Sequence, residues 1–187
     1  MSAVQNPILL FGDEEAKSRA GKGHHGKSAS TTWLTPPSII DSLGGSGSFD
    51  LDPACAPEMP WLTARKMYSK ASNGLMNPWF GRVWLNPPWG GPSIIGPWMR
   101  RMADHGCGIM LVPAATETVN FFECVWLAES ATGILFVLSR PHFHRADGRR
   151  SNANCGTPIV LVSYGDEDAA KLRDSGIAGK FIPLTKE

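Results

Sequence analysis

Short apolar runs punctuate the chain at 49–51, 83–85, 108–112, 133–138 and 158–163, each bounded by glycine, proline or charge. Runs of this length with little alternation are the pattern of strands buried on both faces. Between them, apolar residues recur at helical spacing. Over 94–104, Ile94, Ile95, Trp98, Met99 and Met102 form one face opposite Arg100 and Arg101, and over 117–129 Phe121, Phe122, Val125, Trp126 and Ala128 do the same. A last helix is predicted over 166–175. It opens with Asp166, Glu167 and Asp168, whose charges suit the positive end of a helix dipole, and stops near Gly176. Ile39, Ile40 and Leu43 read as one face of an early helix with Thr35 as N-cap and Pro36 in its first turn. Strands alternating with helices predict an α/β fold in which a mostly parallel sheet is flanked by helices, with ligands bound at the carboxyl ends of the strands.

Residues 1–30 lack this pattern. They are polar and glycine-rich around Lys22, His24, His25 and Lys27, and read as a flexible leader to a single globular domain over 31–187. A chain of 187 residues, 42% hydrophobic, has enough apolar material for one real core and too little length for a large separate recognition domain. No internal repeat is visible, which excludes a solenoid. No stretch approaches a membrane span, and residues 1–10 lack a basic start and long apolar segment, so the expectation is a soluble cytoplasmic protein that does not engage a membrane.

The four cysteines, Cys55, Cys107, Cys124 and Cys155, have no Cys-x-x-Cys spacing, which argues for free thiols rather than a zinc ribbon or redox pair. No convergent metal ligands are identified. The net charge of +1 is unremarkable, but its distribution is not: Arg140, Arg145, Arg149 and Arg150, with His142 and His144, face the single acid Asp147. Such a loop either contacts nucleic-acid phosphates or is a solvated loop whose arginines pair with acids elsewhere.

The apolar run 83–85 stops at Asn86-Pro87-Pro88-Trp89. Two prolines fix φ and remove two backbone donors, leaving carbonyls that no neighbouring amide claims. The Asn86 oxygen and the Pro87 carbonyl can together accept both hydrogens of an exocyclic amine, and Trp89 offers a face for a planar base. Upstream, Asp52-Pro53-Ala54 ends another predicted strand, where a carboxylate can hold a cationic amine and small residues allow a ligand close.

In serial order the chain carries Trp-x-Thr-Pro at 33–36, Phe-x-Leu-Asp-Pro-Ala at 49–54, Asn-Gly-Leu at 73–75 followed by Trp79, Val-Trp-Leu-Asn-Pro-Pro-Trp at 83–89 and Arg-Pro-x-Phe at 140–143. Over about residues 31–165 it thereby resembles the phage-type DNA N6-adenine methyltransferases, a compact Dam-like family. The resemblance implies a single Rossmann-like methyltransferase domain that uses S-adenosyl-L-methionine to methylate adenine N6 in double-stranded DNA after flipping the base out. It implies that Asn86, Pro87, Pro88 and Trp89 hold the target base and that Thr35, Pro36, Asp52, Pro53, Ala54 and Asn73 hold the cofactor. The arginines at 140, 145, 149 and 150 are then the DNA contacts.

Two features depart from the family pattern. Pro57-Glu58-Met59-Pro60 follows the Asp-Pro-Ala turn where a Gly-x-Gly is usual, and Asn73 stands where relatives often carry aspartate. An amide at Asn73 still accepts a hydrogen bond from an adenine amine. Pocket chemistry alone also suits cytosine N4, an RNA amine or a protein amide, and the missing glycines keep open a noncatalytic nucleic-acid-binding relative.

Overall fold

The computed structural model describes residues 33–185. The leader expected over 1–30 therefore lies outside the described residues. Seven strands form one sheet: β1 (Leu51–Cys55), β2 (Lys66–Ser69), β3 (Val83–Leu85), β4 (Gly108–Pro113), β5 (Ala131–Val137), β6 (Ile159–Tyr164) and β7 (Gly179–Pro183). Their order is β2-β1-β3-β4-β6-β5-β7. From β2 to β4 all neighbours pair parallel, whereas β6 runs antiparallel to both β4 and β5, and β7 antiparallel to β5. The sheet is thus mixed, with its parallel part at one edge.

Each predicted strand is present, and the boundaries move by a few residues. β4 and β6 are buried along almost their whole length, as continuous apolar runs covered on both faces must be. The largest change is in β1, which continues through Asp52, Pro53 and Ala54 to Cys55 instead of ending at Leu51. The run at 49–51 stopped short because Asp and Pro interrupt its apolarity, although the backbone stays extended.

Helices cover both faces. On one lie α1 (Pro37–Ser42) and α4 (Asp166–Arg173), with Ile39, Ile40 and Leu172 packed against Trp84, Ile109 and Leu161. On the other lie α2 (Pro92–His105) and α3 (Val119–Phe121), with Met99, Met102 and Phe121 against Val83, Leu85, Met110 and Val112. α2 begins with proline in its first turn and ends at Gly106, whose φ of 70° is the left-handed conformation that closes a helix at little cost. The helix expected over 117–129 is shorter. Thr118 caps α3 through a hydroxyl that accepts from the Phe121 amide, and the chain then widens into a π turn over Phe122–Trp126.

Thr35 is not the N-cap of α1. That position is Pro36, with no side-chain cap, and Pro37 opens the helix. Arg101 is also not a solvated residue of the polar face of α2, as its partners below make clear.

Candidate active site at the carboxyl ends of β1 and β3

From β1 the chain crosses outward to β2 and then returns to the other side of β1 as β3. This reversal is a topological switch point, where the connections leave in opposite directions and open a crevice at the carboxyl ends. β1 and β3 pair at Leu51 with Val83, and beyond that register the ladder does not continue. The crevice is bounded by the Asp-Pro-Ala-Cys end of β1 and the Asn-Pro-Pro-Trp turn after β3.

Asn86 follows the fully buried Leu85 and is itself half-buried. Its Nδ2 donates to the Thr35 hydroxyl at 3.1 Å. With the NH2 end anchored, Oδ1 is the end left without a donor among the described residues. No described group donates to the Pro87 carbonyl either. Among the described residues neither acceptor expected from the sequence is occupied by a donor. Pro87 is buried and Pro88 exposed, while Trp89 is half-buried with its ring centroid 5.4 Å from that of Phe143, at an interplanar angle of 80°. Phe143, the last residue of the Arg-Pro-x-Phe segment, thus holds Trp89 edge-to-face.

Asp52 is only 4% exposed. Its Oδ1 accepts from the Ala54 amide at 2.9 Å, and its Oδ2 accepts from the hydroxyl of buried Thr63. Burial pushes the Asp52 carboxyl up to about 6, partly countered by the Thr63 and Ala54 hydrogen bonds. No cation pairs with this carboxylate among the described residues. Thr63 escaped the sequence reading because nothing in Trp61-Leu62-Thr63-Ala64 distinguishes a hydroxyl that reaches back 11 residues from an ordinary loop threonine.

The Asn-Gly-Leu segment is brought against this turn. A Cβ at Gly74 would lie 1.8 Å from the Pro53 carbonyl oxygen, so only glycine lets the two backbones meet. Asn73, exposed, precedes it in the left-handed region at φ 49°. Trp79 Nε1 donates to the Gly74 carbonyl at 2.8 Å. Arg101 closes the loop from α2: its Nη2 donates to the Asn77 carbonyl at 2.6 Å, its Nη1 to that of Leu75, and its guanidinium lies 5.1 Å from the Trp79 ring centroid.

The basic segment folds back on itself. Arg145 donates its amide to the Arg149 carbonyl, and Gly148 to that of Arg145, so the four arginines fall into different settings. All are exposed. Arg140 donates to the Gly156 carbonyl at 2.8 Å, and Arg149 stands 3.9 Å from Asp147. The tip rests on the loop beyond β1: a Cβ at Gly148 would lie 3.1 Å from Pro60. Among the described residues no group of His, Cys, Asp and Glu could hold a metal ion, and no helix is long and apolar enough to cross a membrane.

A family model described as DNA N-6-adenine-methyltransferase (Dam) matches residues 22–169. The chain belongs to this family. A DNA N-6-adenine-methyltransferase of Escherichia phage T1 is similar to it, 34% identical over 112 residues, which are 54% of this chain and 46% of the relative. The chain thus spans about half the length of the curated relative it matches. No solved structure matches it. The Dam match contains the Thr-Pro entry, β1, the Asn-Gly-Leu loop, the Asn-Pro-Pro-Trp turn and the basic hairpin, which are the segments that converge on the crevice.

The site is compatible with the methyl donor such a family implies. A buried carboxylate without a cation, beside the small Ala54 and at a switch point, suits an ammonium group, and each of its oxygens can accept a further hydrogen bond.

Proposed function

We propose that this protein transfers a methyl group from S-adenosyl-L-methionine to N6 of adenine in double-stranded DNA. The observation that carries the reading is the Asn86 amide, anchored by Thr35 at the end of β3 and followed directly by Pro87, whose carbonyl has no donor among the described residues. Two acceptors on one stiff turn match an sp² amine with two hydrogens. Holding both hydrogens draws the nitrogen lone pair out of conjugation with the ring, where it can act as a nucleophile. Asn86 and Pro87 are neutral, so they do not compete for the proton before the C–N bond forms, and that proton then passes to solvent.

The base must leave the duplex to reach this turn, at a cost of a few kcal/mol for unstacking and unpairing. Trp89, steadied by Phe143, offers a stacking surface that offsets part of that cost. Asp52, Pro53, Ala54 and Asn73 hold the cofactor, with Thr35 and Pro36 at the junction of the two ligands. S-adenosyl-L-methionine supplies a sulfonium methyl whose C–S bond breaks as the new C–N bond forms. The chain's contribution is alignment: a reacting pair held at about 3–3.5 Å has much of its entropic barrier removed in advance. Arg140, Arg145, Arg149 and Arg150 carry positive charge to the mouth of the crevice, where duplex phosphates would lie.

The test is transfer of a tritiated methyl group to unmethylated duplex DNA, followed by nucleoside analysis. N6-methyladenine is the expected product. Label in N4-methylcytosine would replace the substrate assignment, and a protein that binds DNA without transferring label would be the noncatalytic relative.

A further inference from the structure

The segment entering α1 and the basic hairpin are stitched together. Leu34 and His144 exchange backbone hydrogen bonds at 2.8 and 3.0 Å, and His144 bridges in turn to Arg150. Between the two segments opens a cavity of about 330 Å³, lined on one side by Pro36, Ser38 and Ile39 and on the other by His142, His144 and Arg150. Its wall contains two imidazoles and a guanidinium and no carboxylate.

These groups are incompletely satisfied. Arg150 has no acid within ion-pairing distance among the described residues, in contrast to Arg149 beside Asp147. His144 Nδ1 is buried without a partner among the described residues, and its ring is held edge-to-face by Trp61 at 5.1 Å. His142 engages the Ser151 carbonyl through Nδ1 at 2.9 Å, which leaves Nε2 for other contacts. A buried nitrogen left unpaired costs free energy, and His144 Nδ1 in the wall beside the unpaired charge of exposed Arg150 indicates a missing polar guest. Burial and the adjacent Arg150 charge hold His144 below the usual imidazole range.

We infer that this cavity is a subsite for an oxyanion, gripped by Arg150 and supported by an Nδ1–H of the His144 ring, with His142 in its wall. It separates Arg150 from Arg145 and Arg149, which lie outside the lining. The cavity adjoins the crevice, because Pro36 follows the threonine that anchors Asn86. Resting on the methyltransferase reading, the oxyanion has two sources: the carboxylate of the methionine end of the cofactor, or a phosphodiester of the DNA.

Inorganic phosphate tests the subsite without either ligand. Titrated into the protein and followed by the ring-proton resonances of His142 and His144, it should give a saturable shift that Arg150→Gln weakens at least tenfold and Arg145→Gln leaves in place. No saturable shift in the parent, or equal weakening in both variants, would overturn the subsite. The source follows from the same Arg150→Gln protein. If it is the carboxylate, S-adenosyl-L-methionine binding falls about tenfold, while an analogue lacking that carboxylate binds parent and variant alike. If it is a phosphodiester, cofactor binding is unchanged and the log–log salt slope for DNA shrinks by about 0.9. A variant that loses phosphate but binds cofactor and DNA like the parent overturns the link to this reaction. Failure of the parent to transfer methyl groups would sink the proposed function and leave the phosphate result standing, so the two failures are distinguishable.

Discussion

Asp168 and Asp52 are both nearly sealed from solvent, at 3% and 4% exposure, but the fold treats them differently. Asp168, in the first turn of α4, receives Arg82 Nε at 2.6 Å just before β3 begins. The same guanidinium donates to the Leu43 carbonyl at 3.1 Å and the Ser48 hydroxyl at 2.7 Å, and lies 4.0 Å from the Phe49 ring centroid. Its charge is absorbed by the protein. Asp52, farther along the strand direction, has a hydroxyl and a backbone amide but no cation among the described residues. The difference teaches where structure ends and chemistry begins: a buried acid whose counter-charge comes from its own chain locks the fold, and one without it is available to a cationic ligand.

The largest effect expected from this contrast is on stability at the Arg82 end. Asp168→Ala leaves a buried guanidinium unpaired and should cost about 3–5 kcal/mol in chemical denaturation. The fraction that folds should keep its turnover per folded molecule. A large fall in turnover at full stability would mean that the pair belongs to the site.

Next is Asn86→Ala, the opposite case. Methylation should slow by roughly 10²-fold or more, about 2.7–4 kcal/mol, with the denaturation midpoint nearly unchanged. Near-normal turnover would remove Asn86 from its role as amine acceptor.

Asp52→Asn sharpens the comparison through pH. Because burial raises the folded carboxyl from 3.8 to about 6, the native state holds its proton more tightly than the unfolded chain. Stability should therefore fall as pH rises from about 4 to about 6, by about 3 kcal/mol for this group, and stay lowered above that. Asp52→Asn should flatten that slope and weaken S-adenosyl-L-methionine binding. In the parent, cofactor affinity should rise through pH 6 as the carboxylate forms. A pH profile of stability identical in both proteins would contradict the assignment.

Smaller effects test the periphery. Thr35→Val removes one hydrogen bond to Asn86 and should lower turnover by about three- to tenfold, corresponding to 0.5–1.5 kcal/mol. A loss confined to cofactor KM would instead make Thr35 a cofactor contact. Arg145→Gln with Arg149→Gln should leave stability and cofactor binding intact and reduce the DNA salt slope by about 1.8, if each arginine neutralises one phosphate.

The sequence by itself determined the apolar strands of the sheet's interior, the α2 face and the two turns that bound the crevice. Those signals are local: burial on both faces forces a continuous apolar run, and proline after asparagine constrains the backbone wherever it occurs. It did not reveal β2 or β7, which lie at the two edges of the sheet, carry exposed residues and need pair on one side only. Nor did it reveal that Thr35 turns toward Asn86, 51 residues away, instead of capping its own helix. The acidic start of α4 suggested only a helix dipole, yet Asp168 meets Arg82 across 86 residues. Arg101, polar by pattern, spends its charge on loop carbonyls beside Pro53. Tertiary structure alone decided these partnerships, because a side chain's choice between solvent, its own backbone and a distant partner depends on what packing brings within about 3 Å, and no local periodicity records that distance.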